Sequence, residues 1–303
     1  MRAFSLFSTG SNKRLAQDIA RILKCELGKI EIATFADSEK RIRIEENVAD
    51  KTVVVVASLS NPVDSSLVEL CLLGDALKSN DCGKMIAVIA YYGYGRQDKA
   101  HREGEGVSAR VMAKLIEAVD FDKIVAIDLH SDLVSGYFRK PITHLFGAEI
   151  FVEPLKMLTD DLVIVAPDAG AAKRAQFFAE KLHAPLALIE KKRDLEKLHE
   201  LKSVRFIGET KNKIAVLVDD VITSGSTLVK AAYALKEQGA TKVLACVTHP
   251  DFVEGTPSIL QNSPLDAVYV SDSIHLPPEL RFPKLHIVPL SPLLTQHIRK
   301  ILT

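Results

Sequence analysis

The chain lacks most of what would tie it to a membrane, an oxidising compartment or a polyanion. No apolar run approaches the roughly 20 residues that a bilayer-spanning helix needs. Cysteines number four, Cys25, Cys71, Cys82 and Cys246, and they are scattered. With no CxxC pair and no metal-ligand spacing, they are expected as reduced, mostly buried thiols. The 39 basic residues balance 39 acidic ones, giving a formal net charge of zero. That balance argues against a general binder of nucleic acid or anionic membrane. The N-terminal apolar stretch is too short for a signal peptide, and charge follows at once. The expected setting is the cytoplasm, with neither nucleic acid nor membrane as a partner. A GxxxxGK[ST] pattern is also missing, which disfavours a Walker-type nucleotide site.

What is present is material for two domains. The 303 residues are 47% hydrophobic and 26% charged, an ordinary globular composition with ample core. Short aliphatic runs at 3–7, 30–35, 53–59, 85–91, 124–129, 162–166, 186–189, 214–218, 243–247 and 267–270 alternate with helical patterns. The runs are apolar on both faces, as expected for parallel strands covered by helices. In "NPVDSSLVELCLLGDALKS", Asn61 can cap and Pro62 suits the first helical position. In "TLVKAAYALKEQG", the period puts Val229, Ala232, Tyr233 and Leu235 or Lys236 on one face, with Gly239 as the stop. This alternation predicts a doubly wound α/β architecture with mainly parallel sheets. The pattern occurs twice, since "KIVAIDLHSD" and "KIAVLVDDVIT" both read as buried strands ending in acids. Two similar halves are expected, 1–145 and 146–303, meeting within 140–150 with no low-complexity linker.

The chemistry gathers where strands end. In open α/β sheets, ligands bind beyond the carboxyl ends of the strands. "VLVDDVITSGSTL" places Asp219 and Asp220 at such an end, and Thr223, Ser224, Gly225, Ser226 and Thr227 form a loop entering a helix. Backbone N–H groups, short hydroxyls and a helix N-terminus make a cradle for a phosphate. Two carboxylates beside it can accept hydrogen bonds from sugar hydroxyls, so the segment suits a sugar phosphate.

This segment resembles the ribose-phosphate-binding loop of type I phosphoribosyltransferases and of their relatives, the ribose-phosphate diphosphokinases (phosphoribosyl diphosphate synthetases). The rest of the chain separates the two. "FADSEKRIRIEENV" is similar to the diphosphokinase adenine-binding segment F-x-D-G-E, with Phe35, Asp37 and Glu39 matching and Ser38 in place of glycine. "YGYGRQDKAHREGEGVS" resembles the family's Y-x-R-Q-D segment, which implies Arg96, Gln97 and Asp98 near ATP. "AIDLHSDLVSGYF" and "VAPDAGAAKRAQFFAEKL" resemble segments that imply His130 and Asp168 as the metal-side groups, the metal being Mg²⁺. "LIEKKRD" corresponds to a flexible catalytic loop, with Lys191 and Arg193 as its cations. Taken singly these are weak: a lone His130 is more often structural, Phe35 alone would be core, and a Lys-Lys-Arg run is usually solvated. The ordered set spans nearly the whole chain and is specific.

The resemblance implies a phosphoribosyltransferase-like fold, with ATP on the first half and ribose 5-phosphate on the second. It implies transfer of the diphosphoryl group of ATP to the anomeric hydroxyl of the sugar, for nucleotide biosynthesis. It also implies a homo-oligomer with ATP sites shared between subunits. One further departure is Thr223, where many relatives carry an acid. In phosphoribosyltransferases that acid is commonly placed near the reacting sugar, so its absence counts against transferase chemistry. The alternatives are a phosphoribosyltransferase, and a non-catalytic regulatory homologue of the synthetase.

Overall fold

The computed structural model describes residues 4–158, 161–193 and 201–303, with the side chains of 191–193 and 201–205 outside the described set. The chain forms two compact units. One comprises Met1–Gly147, Ser273–His275 and Pro289–Thr303; the other comprises Ala148–Asp272 and Leu276–Val288.

The first unit runs β1 (Phe4–Ser8), α1 (Lys13–Leu23), β2 (Ile30–Thr34), β3 (Lys40–Ile44), β4 (Thr52–Ser58), α2 (Val63–Ser79) and β5 (Lys84–Tyr91). It continues through α3 (Ser108–Ala118), β6 (Lys123–Ile127), the single-turn α4 (Asp132–Ser135) and β7 (Ile142–Leu145). Its five-stranded sheet has the order β1-β4-β5-β6-β7 and is parallel throughout. Along β4, Val53, Val55 and Ala57 share a buried cluster with Leu67, Leu70 and Leu73 of α2 and with Met112 and Ile116 of α3. Val54 and Val56, on the other face by strand alternation, are equally buried. A strand covered on both sides has no polar face to show, which is why "TVVVVAS" reads as one apolar run.

The second unit holds α5 (Glu149–Lys156), β8 (Leu162–Ala166), α6 (Ala172–Leu182), β9 (Leu186–Arg193), β10 (Leu201–Ile207) and β11 (Ile214–Ile222). After these come α7 (Ser226–Glu237), β12 (Lys242–Pro250), α8 (Thr256–Gln261), β13 (Ala267–Ser271) and β14 (Leu285–Val288). The sheet order is β10-β9-β8-β11-β12-β13-β14. Only β10 is antiparallel to its neighbour. The chain winds outward from β8 to β10, then returns to β8's other side with β11. Strand order therefore reverses between β8 and β11, the position where an open α/β sheet leaves a crevice at its carboxyl edge.

Several details differ from the sequence expectations. The run at 30–35 does not enter the parallel sheet: β2 and β3 form a separate antiparallel hairpin. Its partner "KRIRI" alternates charge with isoleucine, so only one face is apolar, and Ile30, Ile42 and Ile44 press that face onto the core. Strands β3, β7, β10 and β14 carry polar or charged residues that hide them from an apolar-run criterion. Asn61 does not cap α2; the helix begins at Val63 and its N-cap is Pro62, without a side-chain cap bond. On α7 the buried face is Leu228, Ala231, Ala232 and Leu235, whereas Tyr233 is 55% exposed. The buried face is rotated one position from the expected one.

The last helix, α9 (Ser291–Leu302), belongs to the first unit although it follows β14 in the chain. It packs against α1, with Leu294, Ile298 and Leu302 buried and the Arg299 guanidinium donating to the Ile22 carbonyl at 2.9 Å. Asn12 Nδ2 and Ser58 Oγ both donate to the Ser273 carbonyl, at 3.1 and 2.7 Å. Residues 289–303, expected with the second half, thus belong to the first unit.

Candidate active site

In the second unit, strand register brings the expected sugar-phosphate residues to one edge of the sheet. Val165 of β8 pairs with Leu217 of β11, and Ala166 pairs with Leu188 of β9. β8 ends at Ala166 and Asp168 follows two residues later, while β11 on one side continues through Asp220 and β9 on the other through Glu190. Lys191 follows directly along β9. Neighbouring strands lie about 4.8 Å apart, so Asp168 and the β11 acids share one edge beside the β8–β11 crevice, close enough for Asp168 to act on Asp219.

Asp219 and Asp220 are not beyond the strand as the sequence suggested. β11 runs on through Ile222 because β12 continues beside it, pairing Asp219 with Val247 and Val221 with His249. Both carboxylates are half-buried. Asp219 Oδ1 accepts from the Asp220 N–H, and Asp220 Oδ1 accepts from the Val221 N–H, each at 2.9 Å. Burial pushes the Asp219 carboxyl above its ordinary range, and the adjacent Asp220 and then Asp168 add to the rise. Such a site favours a ligand that brings hydrogen-bond donors or positive charge.

The loop after β11 has the form expected of a phosphate cradle. Gly225 has φ +73°, and a Cβ there would lie 2.8 Å from Leu260 Cδ2, so glycine is required by backbone and by space. Ser224 Oγ donates to Ser226 Oγ at 3.1 Å, and α7 starts at Ser226. The Thr223 carbonyl accepts from Thr256 Oγ1 at 2.6 Å. Asp168, half-buried after β8, accepts from the Gly170 N–H at 3.0 Å and caps a short turn into α6.

Lys191 and Arg193 lie on β9, whose backbone pairs Lys191 with Val204 and Arg193 with Leu201 of β10. The basic segment is therefore strand up to Arg193, an arm extending past the end of β8. The two side chains, and residues 194–200, fall outside the described set.

In the first unit, the expected nucleotide residues occupy two neighbouring places. Phe35, Asp37 and Glu39 form the exposed tip of the β2–β3 hairpin, and Phe35 is 50% exposed. Glu39 N–H bonds Asp37 Oδ1 at 3.1 Å, and Ser38 has φ +76°, the left-handed conformation in which glycine is relaxed. Beneath the tip lies an open cleft bordered by Ser38, Glu39, Asp64 and Val68. Asp64 accepts from Tyr94 OH at 2.6 Å, which ties α2 to the loop carrying Arg96, Gln97 and Asp98. Arg96 is exposed and Asp98 is buried, with its carbonyl accepting from Tyr137 OH. His130 follows β6, and a Cβ on Gly95 would come 3.8 Å from His130 Cβ, so the two loops touch.

Some supporting residues carried no sequence signal. Leu129 N–H donates to His144 Nε2 at 3.0 Å, and Gly147 N–H donates to Asp128 Oδ1 at 3.1 Å. Both bonds steady the turn that presents His130. Glu69, buried on α2, pairs with Lys40 and accepts from the Gly10 N–H. These are pairings across tens of residues, visible only once the chain is folded.

Residues 4–119 match the family model of the N-terminal domain of ribose phosphate pyrophosphokinase. Residues 196–303 fit the phosphoribosyl synthetase-associated domain. A ribose-phosphate pyrophosphokinase of Caldanaerobacter subterraneus subsp. tengcongensis is 40% identical over 303 residues, covering 99% of this chain and 95% of the relative. The chain belongs to the ribose-phosphate pyrophosphokinase family. Within that family, the enzyme of Thermosipho africanus is 36% identical over 98% of this chain and 93% of its own. The crystal structure of phosphoribosylpyrophosphate synthetase from Mycobacterium smegmatis superposes with a TM-score of 0.93 at 31% identity, covering 99% of both chains. The fold is thus the α/β, phosphoribosyltransferase-like fold of this family, with mainly parallel sheets. Among the described residues, no helix is long and apolar enough to cross a membrane.

Proposed function

We propose that this chain transfers the diphosphoryl group of ATP to the anomeric hydroxyl of ribose 5-phosphate, giving 5-phosphoribosyl 1-diphosphate and AMP. The observation that carries the reading is the Asp219–Thr227 segment at the β8–β11 reversal, with its two carboxylates, its glycine-bent hydroxyl loop and the start of α7. The acids accept from the ribose hydroxyls, and Thr223 to Thr227 hold the 5-phosphate. Phe35, Asp37 and Glu39 receive the adenine of ATP, through a stacking face and acceptors for its amine. Arg96, Gln97 and Asp98 lie near the same ATP.

In the reaction the anomeric oxygen forms a bond to the β-phosphorus and its hydroxyl proton passes to solvent. The bond from that phosphorus to the oxygen of the α-phosphate breaks, and AMP leaves with the electron pair. Transfer of this kind depends on positioning and on neutralising charge. Lys191 and Arg193, on the β9 arm, stabilise the charge that develops on the transferred group. Closing this arm over the phosphates excludes water that would otherwise hydrolyse ATP.

Mg²⁺ is the expected metal. Among the described residues, no three His, Cys, Asp or Glu side chains group to hold an ion. Mg²⁺ keeps several waters and takes one or two protein groups plus substrate phosphates, so it needs no such group. His130, exposed, and Asp168, half-buried, are the protein groups we assign to it. When bound it would neutralise phosphate charge. The reading also places the chain in the cytoplasm, as a homo-oligomer sharing ATP sites between subunits.

The test is to incubate purified protein with ATP, Mg²⁺ and ribose 5-phosphate and to follow nucleotides by anion exchange. Sugar-dependent AMP, with a diphosphorylated ribose, is expected. ADP would mean an ordinary kinase and would overturn the reading.

A further inference from the structure

We infer that Thr256 is a positioning residue for the Thr223–Thr227 loop, with α8 as the loop's buttress. The inference rests on the reading of that loop as the ribose 5-phosphate cradle. Thr256 opens α8 and is fully buried, at 0% exposure. A buried hydroxyl is costly unless it is bonded, and this one donates to the Thr223 carbonyl at 2.6 Å. The Val253 N–H reaches the same carbonyl at 3.4 Å.

A trans peptide holds its C=O and N–H on opposite sides of the chain. Pinning the Thr223 carbonyl toward α8 therefore turns the Ser224 N–H away from α8, toward the side of the loop open to a ligand. That N–H leads the run of backbone donors that makes a phosphate nest. Were the carbonyl free to rotate, it would present a negative dipole to the phosphate instead. A second contact fixes the same geometry. Leu260 lies one turn beyond Thr256 on the same face of α8, and it fills the space that a side chain on Gly225 would need. α8 thus grips the loop at two points, a polar one under Thr223 and an apolar one under Gly225.

Thr256→Val keeps the shape and removes only the donor, while Thr256→Ser keeps the donor. Calorimetric titration with ribose 5-phosphate is the direct readout, because it needs no turnover. We expect Thr256→Val to weaken ribose 5-phosphate by up to roughly tenfold, in line with the usual net worth of one hydrogen bond. Its KM for the sugar should rise alike, with KM for ATP unchanged and the melting temperature near that of the parent. Thr256→Ser should restore binding. Unchanged sugar affinity in Thr256→Val would overturn the inference and leave the functional reading standing. So would equal weakening of both substrates together with a fall in melting temperature, which marks a general structural defect. Failure of the parent protein to bind ribose 5-phosphate would overturn the functional reading itself, and the inference with it.

Discussion

At the residue scale, two positions of the proposed cradle make measurable demands. Gly225 combines φ +73° with a neighbour 2.8 Å from any added Cβ. Gly225→Ala is expected to cost about 1–3 kcal/mol of stability, from strain in the left-handed region plus displacement of Leu260. Urea midpoints at constant slope would check this, and an unshifted midpoint would refute it. Asp219 makes a demand on pH. Its native pKa is raised by burial first and by Asp220 second. A raised acid pKa means that the contribution to stability is intact below the unfolded value, near 3.9, and is lost as pH climbs through the native value. Asp219→Asn stays neutral throughout. The melting temperature of the variant relative to the parent should therefore rise between pH 4 and pH 8 in ligand-free protein. A difference independent of pH would contradict the assignment. The type of each residue was legible in the sequence here, because two acids before a hydroxyl-glycine loop is a local pattern. The partners were not: Thr256 and Leu260 reach the loop from more than thirty residues away.

At the element scale, strand length decided more than strand existence. The apolar run at 214–218 was readable, but β11 continues through two aspartates because β12 offers it a ladder. In the same way β9 extends past Ile189 as an arm paired with β10. The charged residues of that arm read as loop, since nothing in local propensity favours Lys-Lys-Arg in a strand. The hairpin β2–β3 was half legible, its first arm as an apolar run and its tip as a base-binding motif. Its position over α2 follows from the one-sided isoleucines. For the arm, Lys191→Ala and Arg193→Ala should each lower turnover by about 10²–10³-fold, the usual loss when one donor to a developing charge is removed. Stopped assays of AMP formation alongside circular dichroism would test this. Normal turnover in either variant would reject its role.

At the scale of the whole molecule, the chain makes two compact units from interrupted segments, and the family covers its full length. A ligand that binds only the folded protein stabilises it by mass action, by about 2.7 kcal/mol at a hundred times its dissociation constant. Ribose 5-phosphate and Mg-ATP, added separately, should each raise the melting temperature in a concentration-dependent way. Sugar alone without effect would count against the cradle, and nucleotide alone without effect would count against the hairpin site.

The amino-acid sequence by itself determined the fold class, the repeated α/β pattern and the identity of the motifs. Apolar periodicity and glycine-hydroxyl turns act over a few residues, and the order of motifs along a chain needs no folding to be read. Tertiary structure alone decided that strand order reverses between β8 and β11, and that α9 returns to pack on α1. It also decided that Thr256 holds the Thr223 carbonyl. Each of these depends on hydrogen bonds and burial between segments far apart in the chain, whose partners are chosen only when the core closes.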